Sequence, residues 1–269
     1  MGDFETIRYA VDHGVATITL ARPDKRNAVN QTMFNELGDA TEVAASDGSV
    51  RAVVVAADGP SFCAGVDLSL IGELAGLAAR ASDDKGGFHA FVRAAQRPFR
   101  SLALMPKPAV AAVQGHAVGA GFQLALACDL RVASSDAKFA MLDPRYGLIP
   151  DLGGAHRMAR LIGPSRAKEL VWSTRVVESE EALRIGLVDR VVERDSLLSE
   201  ARTLARQVAQ HSPTATALVK RLIERAFETY LDDELELEAD AQTRTIEGAH
   251  HREAVAAFLE GRPPRFEDD

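Results

Sequence analysis

Two glycine-bearing loops carry the strongest chemical signal in this sequence: residues 58–68, with Gly59 and Gly65, and residues 114–123, with Gly115, Gly119 and Gly121. Each leaves an apolar run and enters a helical pattern. Glycine permits positive φ and lets backbone approach a ligand closely. The first turn of a following helix presents N–H groups without intrahelical acceptors at the positive end of its dipole. Such a loop suits an anion or a carbonyl oxygen. Two such N–H groups, one from each loop, meeting at one oxygen would form an oxyanion hole, where losing a single donor typically costs about 3 kcal/mol. The competing reading is that the glycines only shape tight turns.

Several other glycine-loop chemistries fail on spacing. The second loop lacks a G-x-G-x-x-G pattern followed by a suitable acid, and no GxxxxGK[ST] occurs. The stretch Gly115-His116-Ala117-Val118-Gly119 has the frame of a nucleophile elbow but carries Ala117 where a serine is needed. A serine hydrolase of that type is excluded.

The elements that must position these loops are legible from periodicity. Residues 7–20 alternate around Asp12-His13-Gly14, predicting a hairpin. Asn30 is a good N-cap for a helix over 31–45, with Met33, Leu37, Ala40, Val43 and Ala44 on one stripe. Residues 50–57 and 109–113 are too continuously apolar for half-exposed strands and read as strands covered on both faces. Further short strands are expected at 130–133, 138–141 and 188–192. From Leu197 the pattern turns helical, with Leu197, Leu198, Ala201, Leu204, Ala205 and Val208 in one stripe. After Ser212-Pro213 three more helices are expected, with Leu218, Leu222, Ile223 and Phe227 as the clearest face; the acidic run Asp232-Asp233-Glu234 reads as a helix start and a solvated face. The chain therefore divides into an α/β core over 1–212 and a helical region over 213–269.

Composition narrows the function classes. A chain of 269 residues, 46% apolar and 26% charged, can bury a sizeable core. The longest apolar-looking stretch, 109–127, is broken by Gln114, His116 and Gln123, and the N-terminus lacks a basic start and an apolar run; a cytoplasmic protein is expected. Cys63 and Cys128 are too few and too isolated for a disulfide framework or a metal site, and nothing calls for a metal or redox cofactor. Net charge −8, without a dense basic patch, argues against nucleic acid and anionic membranes and for a small-molecule partner.

The chain resembles the enoyl-CoA hydratase/isomerase (crotonase) superfamily. The resemblance rests on Arg22-Pro23 with Asn27-Ala28, on Ser61-Phe62-Cys63-Ala64-Gly65-Val66-Asp67-Leu68, on residues 108–115, and on Gly119-Ala120-Gly121 running to Cys128-Asp129. It continues through Ala137-Lys138-Phe139, residues 147–154, 182–192 and 258–266, in order and over nearly the whole chain. It implies a crotonase-like spiral of ββα units, a C-terminal helical region used for trimer assembly, and a homotrimer or dimer of trimers. It also implies acyl-CoA thioester substrates whose carbonyl oxygen lies between two backbone N–H groups, here those of Val66 and Ala120. The CoA end would lie near Lys25, Arg26, Ala28, Ala64 and Asp67, with Leu68 and Gly119 as further substrate-binding positions. An apolar wall for the acyl chain is expected from Leu68, Leu70, Ile71 and Leu74, with Gly72 and Gly76 between them; plain core packing competes with that reading.

The resemblance also sorts the carboxylates. Hydratases of the family flank a water with two glutamates; here the first position is Gln123, which cannot act as a general base, and the second is the shorter Asp143. A third family position holds Asp151, as in isomerases acting on dienoyl-CoA or ring-derived acyl-CoA. Asp151 also precedes Leu152-Gly153-Gly154 and a helical run, where an aspartate serves as a cap, and Asp143 before Pro144 suits an Asx-type turn. Gln123 is expected to orient a substrate or water by hydrogen bonds. The main expectation is double-bond isomerisation through a thioester enolate, with Asp151 moving a proton at a γ or more distant carbon and Asp143 exchanging one at the other end. The alternatives are a hydratase in which Asp143 and Asp151 share the water, a non-catalytic acyl-CoA-binding protein, and an RNA-binding role that would need a basic surface.

Overall fold

The computed structural model describes residues 4–67, 69–70 and 85–267. The hairpin pairs β1 (Ile7–Asp12) with β2 (Val15–Leu20) around His13 and Gly14, both at positive φ. From β2 the sheet continues in parallel through β3 (Ala52–Ala57), β4 (Ala109–Val113), β6 (Leu130–Ser134) and β9 (Arg190–Val192). A smaller sheet stacks β5 (His116–Val118), β7 (Lys138–Ala140) and β8 (Val177–Glu178). Two turns, from β4 through β5 to a helix and from β6 through β7 to a 3-10 turn, run from a long strand to a short strand and on to helical structure, the ββα unit that the resemblance implies.

Both faces of the large sheet are covered, which explains the unbroken apolar runs in β3 and β4. Val53, Val55, Ala111 and Val113 join one core with Met33, Phe34 and Leu37 of α1 (Gln31–Ser46) and Phe99 of α2 (Lys85–Leu104). Val54, Ala56, Val110 and Ala112 face the opposite way, onto Leu197, Ala201 and Ala205 of α7 (Leu197–Ala209). Asn30 caps α1 as expected, its Oδ1 accepting from Met33 N at 2.9 Å. Val43 is the exception on the predicted stripe, at 39% exposure. It sits at the rim of the α1 face, where the neighbouring Glu42 pairs with Arg97 of α2.

Helix α3 (Ala120–Ala127) is buried at every position. It is followed by α4 (Gly154–Ile162), α5 (Pro164–Ser173) and α6 (Ser179–Arg184). Ser212 accepts from Ala215 N at the start of α8 (Pro213–Arg225), and α9 (Leu231–Glu247) and α10 (Ala249–Glu260) complete the expected three helices. Lys220 Nζ ties α8 to the core through Leu102 O, Lys107 O and the half-buried Asp129, at 3.2, 3.1 and 2.8 Å. Asp232 and Asp233 are solvated in the first turn of α9, as expected, but Glu234 is buried and accepts from Thr229 Oγ1 at 2.6 Å. Of Leu218, Leu222, Ile223 and Phe227, read from the sequence as the clearest helical face, the first two are half-buried on α8, while Ile223 and, in the turn after α8, Phe227 are largely exposed in the single chain. Among the described residues no helix is long and apolar enough to cross a membrane.

Removing the α1 cap by Asn30→Ala should lower unfolding free energy by about 1 kcal/mol, read as a lower urea midpoint at unchanged slope.

Candidate active site

The two glycine loops lie against each other. Cys63 N–H donates to His116 O and Val118 N–H donates to Cys63 O, both at 2.9 Å, forming a parallel bridge between Cys63 and Ala117. On its other side the first loop bridges Val29 to Val66, through Val29 N–H to Gly65 O at 2.8 Å and Asp67 N–H to Val29 O at 2.9 Å. In a parallel bridge the bonds to one residue come from the flanking peptides of the other. The N–H of Val66 is therefore outside the ladder. Ala120 is the first residue of α3, so its N–H is among those without an intrahelical acceptor. Gly119, just before it, adopts φ 50 and ψ −116, which a side chain would strain, and a Cβ built there would lie 4.0 Å from Gly65 Cα. The peptide units Gly65–Val66 and Gly119–Ala120 are thus brought side by side. Close packing continues one residue on, where a Cβ at Gly121 would fall 2.4 Å from Cys63 O.

Asp143 opens a 3-10 turn (Asp143–Tyr146) just after β7. Its Oδ2 is buried without a hydrogen-bond partner, 3.7 Å from where a Cβ on Gly119 would sit. Burial pushes the Asp143 carboxyl above the ordinary aspartate range, a bond from its own backbone N–H opposes this, and the charge of Asp151 adds to the rise. Burial likewise raises Asp151. The two carboxyls therefore share one desolvated region beside the paired loops.

The capping reading of Asp151 is overturned. The N-cap of α4 is Gly153, and the work of an acidic cap is done from across the site by Gln123, whose Oε1 accepts from Leu152 N at 2.9 Å and Gly154 N at 3.1 Å. Gln123 is 1% exposed, and its carbonyl is committed to those backbone donors rather than to orienting a substrate or water. The Asx-turn reading of Asp143 also fails: its backbone carbonyl closes the turn by accepting from Leu148 N at 3.0 Å, while its Oδ2 is left over.

The segment expected to meet CoA is laced to the first loop. Arg22 Nη2 reaches Asp67 Oδ2 at 3.0 Å, Arg22 Nη1 bonds Ala28 O, and Ala64 N–H donates to Arg26 O at 3.0 Å. Asn27, buried and at positive φ, accepts from Arg22 N and donates to Asp58 O and Ser61 O at 2.8, 2.8 and 2.9 Å. Lys25, Arg26 and Ala64 are exposed at this rim. The Asp67 carboxylate is held below its usual range by Ser69 and Arg22, which makes it a brace for the loop. Leu68, Ile71, Gly72, Leu74 and Gly76 lie outside the described residues. Leu70 is buried in the core, as the packing reading has it. Burial pushes the thiols of Cys63 and Cys128, free as expected, up to about 12, so neither is a nucleophile at neutral pH. Sequence reasoning missed Asn27 and Gln96 as framework residues; the positive φ of Asn27 has no signature beyond its residue type.

A sequence profile of the enoyl-CoA hydratase/isomerase family matches residues 10–269. The chain belongs to this family. It is 33% identical over 264 residues to the crotonyl-CoA hydratase of Syntrophomonas wolfei, covering 98% of each chain. It is 34% identical over 249 residues to the short-chain-enoyl-CoA hydratase of Clostridium acetobutylicum, covering 92% of each. A Thermobifida fusca structure in complex with acetoacetyl-CoA superposes with a TM-score of 0.84 at 32% identity, over 90% of this chain and 95% of that one. The family's fold is thereby shown over nearly the full length.

Two outcomes follow. Gly121→Ala should separate α3 from the first loop, lowering the melting temperature by several degrees and weakening binding of an acyl-CoA thioester in calorimetry. The sign of the pH effect on stability is set by the raised carboxyls. In the folded state Asp143 and Asp151 hold their protons to higher pH than in the unfolded chain, so stability is lost as pH rises from the unfolded value through the folded one. Asp143→Asn and Asp151→Asn should therefore raise the melting temperature at neutral pH, with the gain vanishing below the ordinary aspartate range.

Proposed function

We propose that this chain hydrates the double bond of a 2-enoyl-CoA thioester, with Asp143 and Asp151 sharing the water. The observation that carries this reading is a pair of half-buried carboxyls, Asp151 raising Asp143 by its charge, beside two N–H groups left over from the paired glycine loops. The names of the relatives, crotonyl-CoA hydratase and short-chain-enoyl-CoA hydratase, support it.

Like charges in one desolvated region favour a pair that holds a single proton. In this reading Asp143, raised by burial and by its neighbour's charge, takes the protonated role and Asp151 the ionised one. Asp151 takes a proton from water as the water oxygen bonds to the β-carbon. The electron pair of the double bond moves toward the thioester, and the charge gathers on a carbonyl oxygen held by the N–H groups of Val66 and Ala120. The enolate then collapses as its α-carbon takes the proton of Asp143, and proton exchange between the carboxyls restores the pair. One water is added and nothing is oxidised. Lys25 and Arg26 at the exposed rim, with the backbone of Ala28, Ala64 and Gly119, would receive the CoA end. The apolar residues exposed on α8, on α9 and in the turn between them, among them Ile223, Phe227 and Leu231, support a homotrimer assembled through the C-terminal helices.

A second reading, double-bond isomerisation, is favoured by Gln123. The position of the first hydratase glutamate holds an amide engaged with backbone N–H groups, so the water there has one carboxylate fewer than in the family's hydratases. In this reading Asp151 moves a proton between carbons and Asp143 returns it, with the same enolate oxygen site.

Offering trans-2-enoyl-CoA and a 3-enoyl or dienoyl-CoA, and weighing the products, separates the two. Hydration adds the mass of one water, isomerisation adds nothing, and binding without either product sinks both. Asp143→Asn and Asp151→Asn should each lower kcat by about a hundredfold or more. The pH profile should be a bell with its acid limb set by Asp151 and its alkaline limb by Asp143, both displaced upward from the ordinary aspartate range.

A further inference from the structure

We propose that Gln96 and Gln123 are positioning residues for Asp151: two side-chain amides grip the 151–154 backbone from opposite sides and so leave the Asp151 carboxylate free to face the site. This rests on the reading of Asp151 as the proton-accepting group. Gln96, on α2, donates from Nε2 to Asp151 O at 2.6 Å. Its amide is oriented by Arg93, whose Nη1 donates to Gln96 Oε1 at 3.2 Å. Gln123, on α3, accepts from Leu152 N and Gly154 N at Oε1, and two N–H donors fix which end of that amide faces the loop. The fit is tight, since a Cβ at Gly154 would fall 2.5 Å from Gln123 Cγ.

The division of labour follows from what an uncapped helix start demands. The first N–H groups of α4 require an acceptor, and an aspartate just before the helix is the usual supplier. With Gln123 supplying the acceptor, Asp151 is relieved of that bond. With Gln96 holding its carbonyl, the residue cannot swing back to take it. The consequence is a carboxylate fixed by its own backbone yet with few local hydrogen bonds, so burial keeps it basic. A glutamine at position 123 is therefore an anchoring group for the neighbouring loop, and position 96, on a separate element, completes the anchor.

The test uses the full chain with Gln96→Leu, which keeps bulk, and Gln96→Glu, which keeps length but offers an acceptor where a donor is needed. Both should fold with melting temperatures within a few degrees of the parent and with KM within about twofold. Both should lower kcat by about tenfold to a hundredfold, the range expected for a misplaced reacting group. A loosened loop admits water to the carboxylate, so the acid limb of the pH profile should move to lower pH, a shift that mere loss of packing would not produce. In an Asp151→Asn background, Gln96→Leu should cost less than about twofold further. An unchanged kcat, or a lowered kcat with the acid limb in place, while Asp151→Asn is itself defective, would overturn the positioning role and leave the catalytic reading standing. Full activity in Asp151→Asn would remove the catalytic reading and the positioning role together.

Discussion

The parallel bridge between Cys63 and Ala117 is the contact on which the site depends. Two 2.9 Å backbone bonds splice a loop that follows β3 to a loop that follows β4, and so extend the small sheet by one residue into the first loop. Without that splice, the peptides after Gly65 and Gly119 belong to separate turns of the spiral and have no reason to meet. With it, glycine at positions 119 and 121 becomes obligatory, one for its backbone angles and one for the approach to Cys63 O. Backbone geometry of this kind is held by the sheet on one side and by the fully buried α3 on the other. Donors held this way would need no reorganisation to meet a developing charge.

Much of this frame is readable in the sequence, for identifiable reasons. Strands β3 and β4 betray burial on both faces by continuous apolar runs, and α1 betrays its start by Asn30 and its face by helical spacing. The short strands β5 and β8 left no signal, because three and two residues are too few for a period and β5 lies inside a glycine loop. In the site, the glycine loops and the aspartates stand out by residue type and by the family resemblance. The partner of each does not. Gln123 looked like a group for the substrate, whereas its amide serves the backbone of a loop 29 residues on. Gln96 offers no hint at all, since a glutamine on an amphipathic helix is ordinary surface until the fold places Asp151 O beside it. Local pattern reports what a segment buries; it does not report which distant segment will need a hydrogen bond.

The carboxyls illustrate the cost of an active arrangement. Arg22, Lys220 and Arg131 show how this chain treats ionised groups elsewhere: each buried or half-buried charge is matched, to Asp67, Asp129 and Asp189 respectively. Asp143 breaks that rule, with one oxygen buried and unpartnered. Glu234, whose Oε1 is also buried without a partner, still spends its other oxygen on Thr229, and an extensive core offsets the cost of such groups. The site is thus a local loss of stability carried by the scaffold.

The burial of α3 has a consequence for how such a protein can change over generations. All eight of its residues lack a solvent side, and at Gly121 there is no room even for a methyl group. Mutation there is confined to swaps of matching volume. The opposite bank, residues 143–151, is a turn and loop with Tyr146, Leu148 and Ile149 largely open to solvent, so substitutions there meet little steric opposition. New reaction specificities in this lineage would arise by exchanging acids and apolar groups on that bank while the buried helix stays as it is, a fixed base beneath a replaceable rim.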